Sequence, residues 1–333
     1  MNPFCRWRRN AAQAATVSLV LVALASGTAP APASAADSTG SASGPALSVP
    51  DGLLAEALSC PDGLDGLGPV LLVHGTFATP EENWSWNYQR TLPLSGYAVC
   101  TVALPDRALA DIQVASEYVV YAVRTMAART GRQVDIIGHS QGGLEPRWAV
   151  RFWPDVRAAV DDLVTIAAPH HGTISADAIC APFGCPPAGL QMRRGSAFLA
   201  ALNAGDETPG NISYTSVFTR MDELVQPAVP GDETAALDGA VNVAVQDLCP
   251  GKVVTHISAL FDITTYNVIL DALQNPGPAD VNRLDAGCIG FPFVSTTDPL
   301  GILQGPSFGL GAVSGSLTHP RSTTEPESAP YAR

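Results

Sequence analysis

Five consecutive residues, Gly138-His139-Ser140-Gln141-Gly142, carry the pattern Gly-x-Ser-x-Gly. A serine in that frame sits on a sharp bend between a strand and a helix, with its hydroxyl lifted clear of the sheet. The glycines let neighbouring backbones approach where a Cβ would block them. The context agrees. The run Val134-Asp135-Ile136-Ile137 reads as a strand ending at Gly138, and Leu144 to Phe152 is compatible with a helix. Ser140 is therefore expected to attack acyl carbons. A hydroxyl is a weak nucleophile until a base takes its proton, so the rest of the chain has to supply partners.

Histidine suits the role of base, because its pKa lies near neutrality. Six are present. His139 lies inside the elbow and should turn away from the serine. His74 precedes the Gly75-Thr76 turn, His170 and His171 follow a strand end, and His319 falls in a polar stretch. His256 closes Lys252-Val253-Val254-Thr255. The elbow architecture expects the chain order serine, acid, histidine. That order selects His256, with His171 as the rival, and Asp222 as the acid, ahead of Glu223, Asp247 and Asp262. The oxyanion of a tetrahedral intermediate needs preorganised N–H donors. The backbone of Gln141 is one candidate. Thr76, in the loop His74-Gly75-Thr76, is the other, with its hydroxyl as a further donor. Trp84, Trp86 and Tyr88 follow that loop and read either as pocket lining or as core.

The surrounding elements alternate. Val70 to Val73 is a continuous apolar run that suits a strand buried on both faces. Further strands are expected at Tyr97–Leu104, Val134–Gly138, Val160–Ala167, Ile212–Phe218 and Lys252–His256. Helices are expected at Asp111–Thr130 and Asp262–Gln274, and Pro146 predicts a kink or an irregular start in the helix after the elbow. Strands alternating with helices predict an α/β fold with a mostly parallel sheet covered on both faces. In such sheets the site lies at the carboxyl ends of the strands, where Thr76, Ser140, Asp222 and His256 all fall. Segments 172–205 and 258–290 are the expected walls of the site.

Composition narrows the class. The chain has 333 residues, 46% of them hydrophobic and 15% charged, with a net charge of −13. That balance argues against nucleic-acid binding, which needs a basic face. Residues 1–36 read as an export signal: Arg6, Arg8 and Arg9, an apolar run from Ala14 to Ala25, then Ala33-Ser34-Ala35. The apolar run is too short to span a bilayer. Residues 37–50 and 316–333 are small and polar and read as a disordered lead-in and tail around a catalytic domain at 51–315. Without Cys5 of the signal, six cysteines remain: Cys60, Cys100, Cys180, Cys185, Cys249 and Cys288. An even count in an exported chain suggests disulfides, and their spacing lacks the paired arrangement of a metal site. No cofactor is called for.

Four stretches carry a resemblance: Leu71-Leu72-Val73-His74-Gly75-Thr76, Asp111 to Tyr118, Ser140-Gln141-Gly142-Gly143-Leu144 and Asp222-Glu223-Leu224-Val225-Gln226-Pro227. Through them the chain, from about Leu53 to Leu284, resembles secreted α/β-hydrolase lipases of the Candida antarctica lipase B type and their actinobacterial relatives. The resemblance implies an α/β-hydrolase fold, Asp222 as acid, His256 as base, and Thr76 and Gln141 as oxyanion residues. It also implies disulfides Cys60–Cys100 and Cys249–Cys288, which leaves Cys180 to pair with Cys185. The expected activity is that of a secreted triacylglycerol lipase or carboxylesterase, acting on ester substrates and meeting a lipid–water interface transiently. A polyester hydrolase, an acyltransferase, a peptidase and a catalytically silent binding domain are the alternatives.

Overall fold

The computed structural model describes residues 43–181, 183–289 and 319–333. The expected export signal lies outside them. The strands are β1 (Leu58–Ser59), β2 (Pro69–Val73), β3 (Ala98–Val102), β4 (Val134–His139), β5 (Val160–Ile166), β6 (Ser213–Phe218), β7 (Ala228–Val229), β8 (Asp232–Glu233) and β9 (Val241–Ala244). The helices are α1 (Asp51–Ala57), α2 (Pro80–Trp84), α3 (Tyr88–Leu94), α4 (Ile112–Thr130), α5 (Leu144–Phe152), α6 (Pro154–Ala158), α7 (Ile174–Cys180), α8 (Pro187–Gln191), α9 (Ala197–Leu202), α10 (Val245–Leu248) and α11 (Ile263–Gln274).

Seven strands form one sheet in the order β1-β3-β2-β4-β5-β6-β9. Only β1 runs antiparallel to its neighbour. Successive side chains of a strand point to opposite faces, and β2 shows it. Leu71 and Val73 pack with Ile112, Val119 and Trp148 on one face. Val70 and Leu72 pack with Trp84, Tyr88 and Val268 on the other. Both faces are covered, which is why β2 reads as an unbroken apolar run. Asp111 caps α4 through its carboxylate and Gly131 closes it in the left-handed region.

One irregularity interrupts the parallel ladder. Val134 pairs with Val160 but Ile136 pairs with Leu163, so β5 carries an extra residue opposite Asp135. A bulge of this kind redirects side chains. Here the carboxylate oxygens of Asp135, Asp161 and Asp162 come within 4.8 Å of one another.

Several expectations are corrected. Lys252–His256 is not a strand. The carbonyls of Lys252 and Val254 accept hydrogen bonds from the side chains of Gln246 and Thr219, which hold the segment as a loop. The outer sheet position is taken by β9, whose short, half-exposed sequence gave no strand signal. Pro146 makes no kink, since it is the third residue of α5, where the amide has no intrahelical acceptor to lose; the irregular start that was the other expectation is present, as a 3₁₀ turn at Ser140–Gly143 that leads into the helix. The polar ends are ordered where they are described. Ser48 binds Glu117 through its amide at 2.6 Å and its hydroxyl at 2.7 Å. Residues 319–333 lie along the helices: Glu325 accepts from the first amides of α9, and the Tyr331 ring sits 5.3 Å from that of Trp153. Specific anchors order these segments despite a composition that suggests disorder.

Candidate active site

The elbow begins with a strained serine. Ser140 has φ of 55°, in the left-handed region that residues with a Cβ avoid. The strand-to-helix bend imposes it. A Cβ on Gly142 would press into the carbonyl oxygens of Val73 and His74, and one on Gly138 into the carbonyl of Gly142. The glycines thus let β2, β4 and the start of α5 close around the serine, which faces a pocket.

That pocket holds about 330 Å³ and its walls include Thr76, Ser140, Met192, Leu224 and His256. His256 Nδ1 lies 2.8 Å from Asp222 Oδ2, and both side chains are almost fully buried. Asp222 Oδ1 accepts the amides of Leu224 at 2.8 Å and Val225 at 2.7 Å, so the carboxylate is held at both oxygens. Glu223 accepts the backbone amide of His256 at 2.9 Å; it steadies the loop and does not meet the ring in a hydrogen bond. Ser140 and His256 share the pocket without a hydrogen bond between them. Such contacts are commonly long in an unliganded site and tighten when substrate binds.

At Thr76, which also lines the pocket, the hydroxyl lies 2.6 Å from Gln141 Oε1, and Gln141 Nε2 lies 2.8 Å from Glu145 Oε1. Among the described residues, the backbone amides of Thr76 and Gln141 have no acceptor in the protein. They are N–H donors available to a ligand.

Three other histidines have partners of their own. His74 Nδ1 donates to the Gly75 carbonyl at 2.9 Å and its Nε2 accepts the Leu104 amide at 2.9 Å. Burial lowers its pKa to about 4, so it is a neutral brace for the loop. His139 Nδ1 faces Asn83 Oδ1 at 3.1 Å, its ring 5.0 Å from that of His256. Burial, and then the positive charge His256 can carry, push its pKa well down. His171 is turned to Glu207 at 3.1 Å, and that hydrogen bond raises its pKa.

Of the two expected wall segments, 172–205 lines the pocket through Thr173, Ala176, Ile179, Pro186 and Met192, whereas among the described residues nothing from 258–289 does. Helix α11 is instead enclosed in the core on the far face of the sheet. Trp84, Trp86 and Tyr88 belong to that same core. Disulfides join Cys60–Cys100, Cys180–Cys185 and Cys249–Cys288. The second lies in the pocket wall itself. Several contributors escaped the sequence reading, two of them polar. Arg321 reaches the pocket from the C-terminal segment, and Glu145 stands behind Gln141. A glutamate on an otherwise buried helix face was the signal for the latter; nothing local marked the former.

A seven-stranded, mostly parallel sheet with a serine on a glycine-flanked bend at a strand's carboxyl end defines an α/β hydrolase. Residues 70–314 match the model of the alpha/beta hydrolase family, and the chain belongs to that family. It is 32% identical to lipase B of Pseudozyma antarctica over 309 residues, covering 88% of each chain. Over a shorter stretch of 138 residues it is 31% identical to a triacylglycerol lipase of Pseudarthrobacter phenanthrenivorans, covering 39% of this chain and 42% of that one. In structure it is similar to Aspergillus fumigatus lipase B, with a TM-score of 0.81 and 28% identity, covering 87% of this chain and 74% of the other.

Proposed function

We propose that Ser140, His256 and Asp222 form the catalytic triad of a secreted triacylglycerol lipase or carboxylesterase. The class is that of a carboxylic ester hydrolase, as the family and its lipase relatives define it. The observation that carries the triad is the buried 2.8 Å contact between His256 Nδ1 and Asp222, with the other ring nitrogen available to Ser140 across the shared pocket.

In this reading Asp222 fixes the proton on Nδ1 and stabilises the imidazolium, so that Nε2 accepts the Ser140 proton during attack. The ester carbonyl becomes an oxyanion received by the amides of Thr76 and Gln141. Each such donor contributes about 3 kcal/mol to the transition state. The imidazolium returns its proton to the leaving alcohol. Water then takes the alcohol's place, and His256 activates it to release the acyl group from Ser140.

The apolar wall of Leu109, Ala176, Ile179, Pro186 and Leu224 supports an acyl chain as the bound group. Ile179, Phe183, Met221 and Leu224 remain exposed on the segments that line or flank the pocket, which supports a substrate presented at a lipid–water interface. The three disulfides and the arginine-flanked apolar run before residue 36 support export. Hydrolysis of p-nitrophenyl esters of increasing acyl length, below and above their solubility, tests the reading. Rates that rise with chain length and rise again on emulsified substrate fit a lipase. A preference for short soluble esters fits a carboxylesterase. Absence of hydrolysis across the series contradicts the proposal.

A further inference from the structure

Glu145 is a buried titratable group that the triad does not use. It is the second residue of α5 and is fully enclosed. Burial pushes its carboxyl up to about 8, opposed by the hydrogen bond from Gln141 and by its own helix backbone. Among the described residues, no charged side chain bears on it. Its Oε2 has no hydrogen-bond partner, and an enclosed carboxylate with so little compensation favours the neutral acid. Glu145, Gln141 and Thr76 form a single file from the helix to the pocket wall, with steps of 2.8 Å and 2.6 Å.

As these contacts stand, the Thr76 hydroxyl donates to Gln141 Oε1. A hydroxyl has one proton, so it is then withheld from an oxyanion. A half-turn of the Gln141 amide exchanges its oxygen and nitrogen and leaves the heavy-atom positions filled. Neutral Glu145 then donates to Gln141 Oε1, Gln141 Nε2 donates to Thr76 Oγ1, and the Thr76 proton is free to face the pocket. An ionised Glu145 has no proton to give and holds the amide in the first arrangement.

We infer that Glu145 is a positioning residue, which keeps the Thr76 hydroxyl available to the oxyanion by donating through the Gln141 amide. This rests on the proposed place of Thr76 in the oxyanion hole, and a double-mutant cycle separates the two ideas. Thr76→Val is expected to lower kcat about a hundredfold. Glu145→Met is expected to lower kcat by roughly tenfold with little change in KM, a partial loss of the same donor. Glu145→Gln, a neutral donor of the same shape, should keep kcat within a few-fold. In the Thr76→Val background, Glu145→Met should cost nothing more. Equal losses in both backgrounds would overturn the inference and leave Thr76 in its role. No loss from Thr76→Val would overturn both. Should Glu145→Met fail to fold, the pH profile decides. The kcat of the parent enzyme should decline as pH rises through about 8, and that of Glu145→Gln should not. Coincident profiles would overturn the inference.

Discussion

Gly142 and Val73 stand so close that a Cβ on the glycine would collide with the valine's carbonyl oxygen. The closeness is the structural origin of the exposed serine, since it allows the elbow to pack directly on β2. Gly142→Ala is expected to cost several kcal/mol and to give little soluble, active protein, because backbone and not a flexible side chain blocks the added atom. Gly195→Ala has open space around it but a positive φ, which Gly142 lacks, and should cost about 1 kcal/mol. Thermal denaturation of the pair distinguishes packing from backbone conformation.

The choice between adjacent acids is testable. Asp222 meets the His256 ring, whereas Glu223 meets only its backbone amide. Asp222→Asn should lower kcat by about 10⁴ through the wrong imidazole tautomer. Glu223→Gln preserves an acceptor for the amide and should cost less than tenfold, as a roughly 1 kcal/mol perturbation. Equal losses in the two variants would displace Asp222 from the proposed role.

The acidic bulge predicts a stability that depends on pH. Asp162 is raised to about 8 by burial and then by the charges of Asp135 and Asp161, and Asp135 is raised to about 7 by burial and then by Asp161. A carboxyl whose folded pKa is raised contributes stability that is complete below its unfolded pKa and is lost as pH rises through the folded value. Stability should therefore fall between about pH 4 and pH 8. Asp162→Asn should flatten that fall and be at least about 1 kcal/mol more stable than the parent at pH 8. Denaturant melts at pH 5 and pH 8 measure both effects.

The C-terminal segment should act as a strap. The Tyr331 hydroxyl accepts from Trp148 Nε1 at 3.2 Å, and its ring packs against Phe152 and Trp153. Tyr331→Ala should cost about 2 kcal/mol, less than emptying a fully enclosed aromatic site. A melting temperature unchanged by the substitution would show that the segment adds nothing to stability.

The sequence carried most of the sheet and one of the two expected stretches of pocket wall, for physical reasons. Strand β2 is buried on both faces and was marked by hydrophobicity alone, while β4 and β5 were marked by their β-branched and apolar residues despite Asp135, Asp161 and Asp162. The elbow was legible because only glycine satisfies its backbone crowding. Strand β9 is short with an exposed first half, and Lys252–His256 has strand-like residues whose carbonyls are claimed by Thr219 and Gln246. Those contacts join distant positions and leave no local trace. The walls from α7 and α8 fall in the expected segment 172–205, whereas the approach of Arg321 depends on tertiary packing in the same way, as does the ordering of Ser48 and Tyr331.

The central claim is that Ser140 is the nucleophile. The direct measurement is mass spectrometry of the protein after reaction with a fluorophosphonate, run beside ester hydrolysis on the parent and on Ser140→Ala. One phosphonyl group on the peptide containing Ser140, with parallel loss of hydrolysis, is predicted for the parent. The folded alanine variant should neither label nor hydrolyse. Undiminished hydrolysis by that variant, or a label on another residue, would contradict the account.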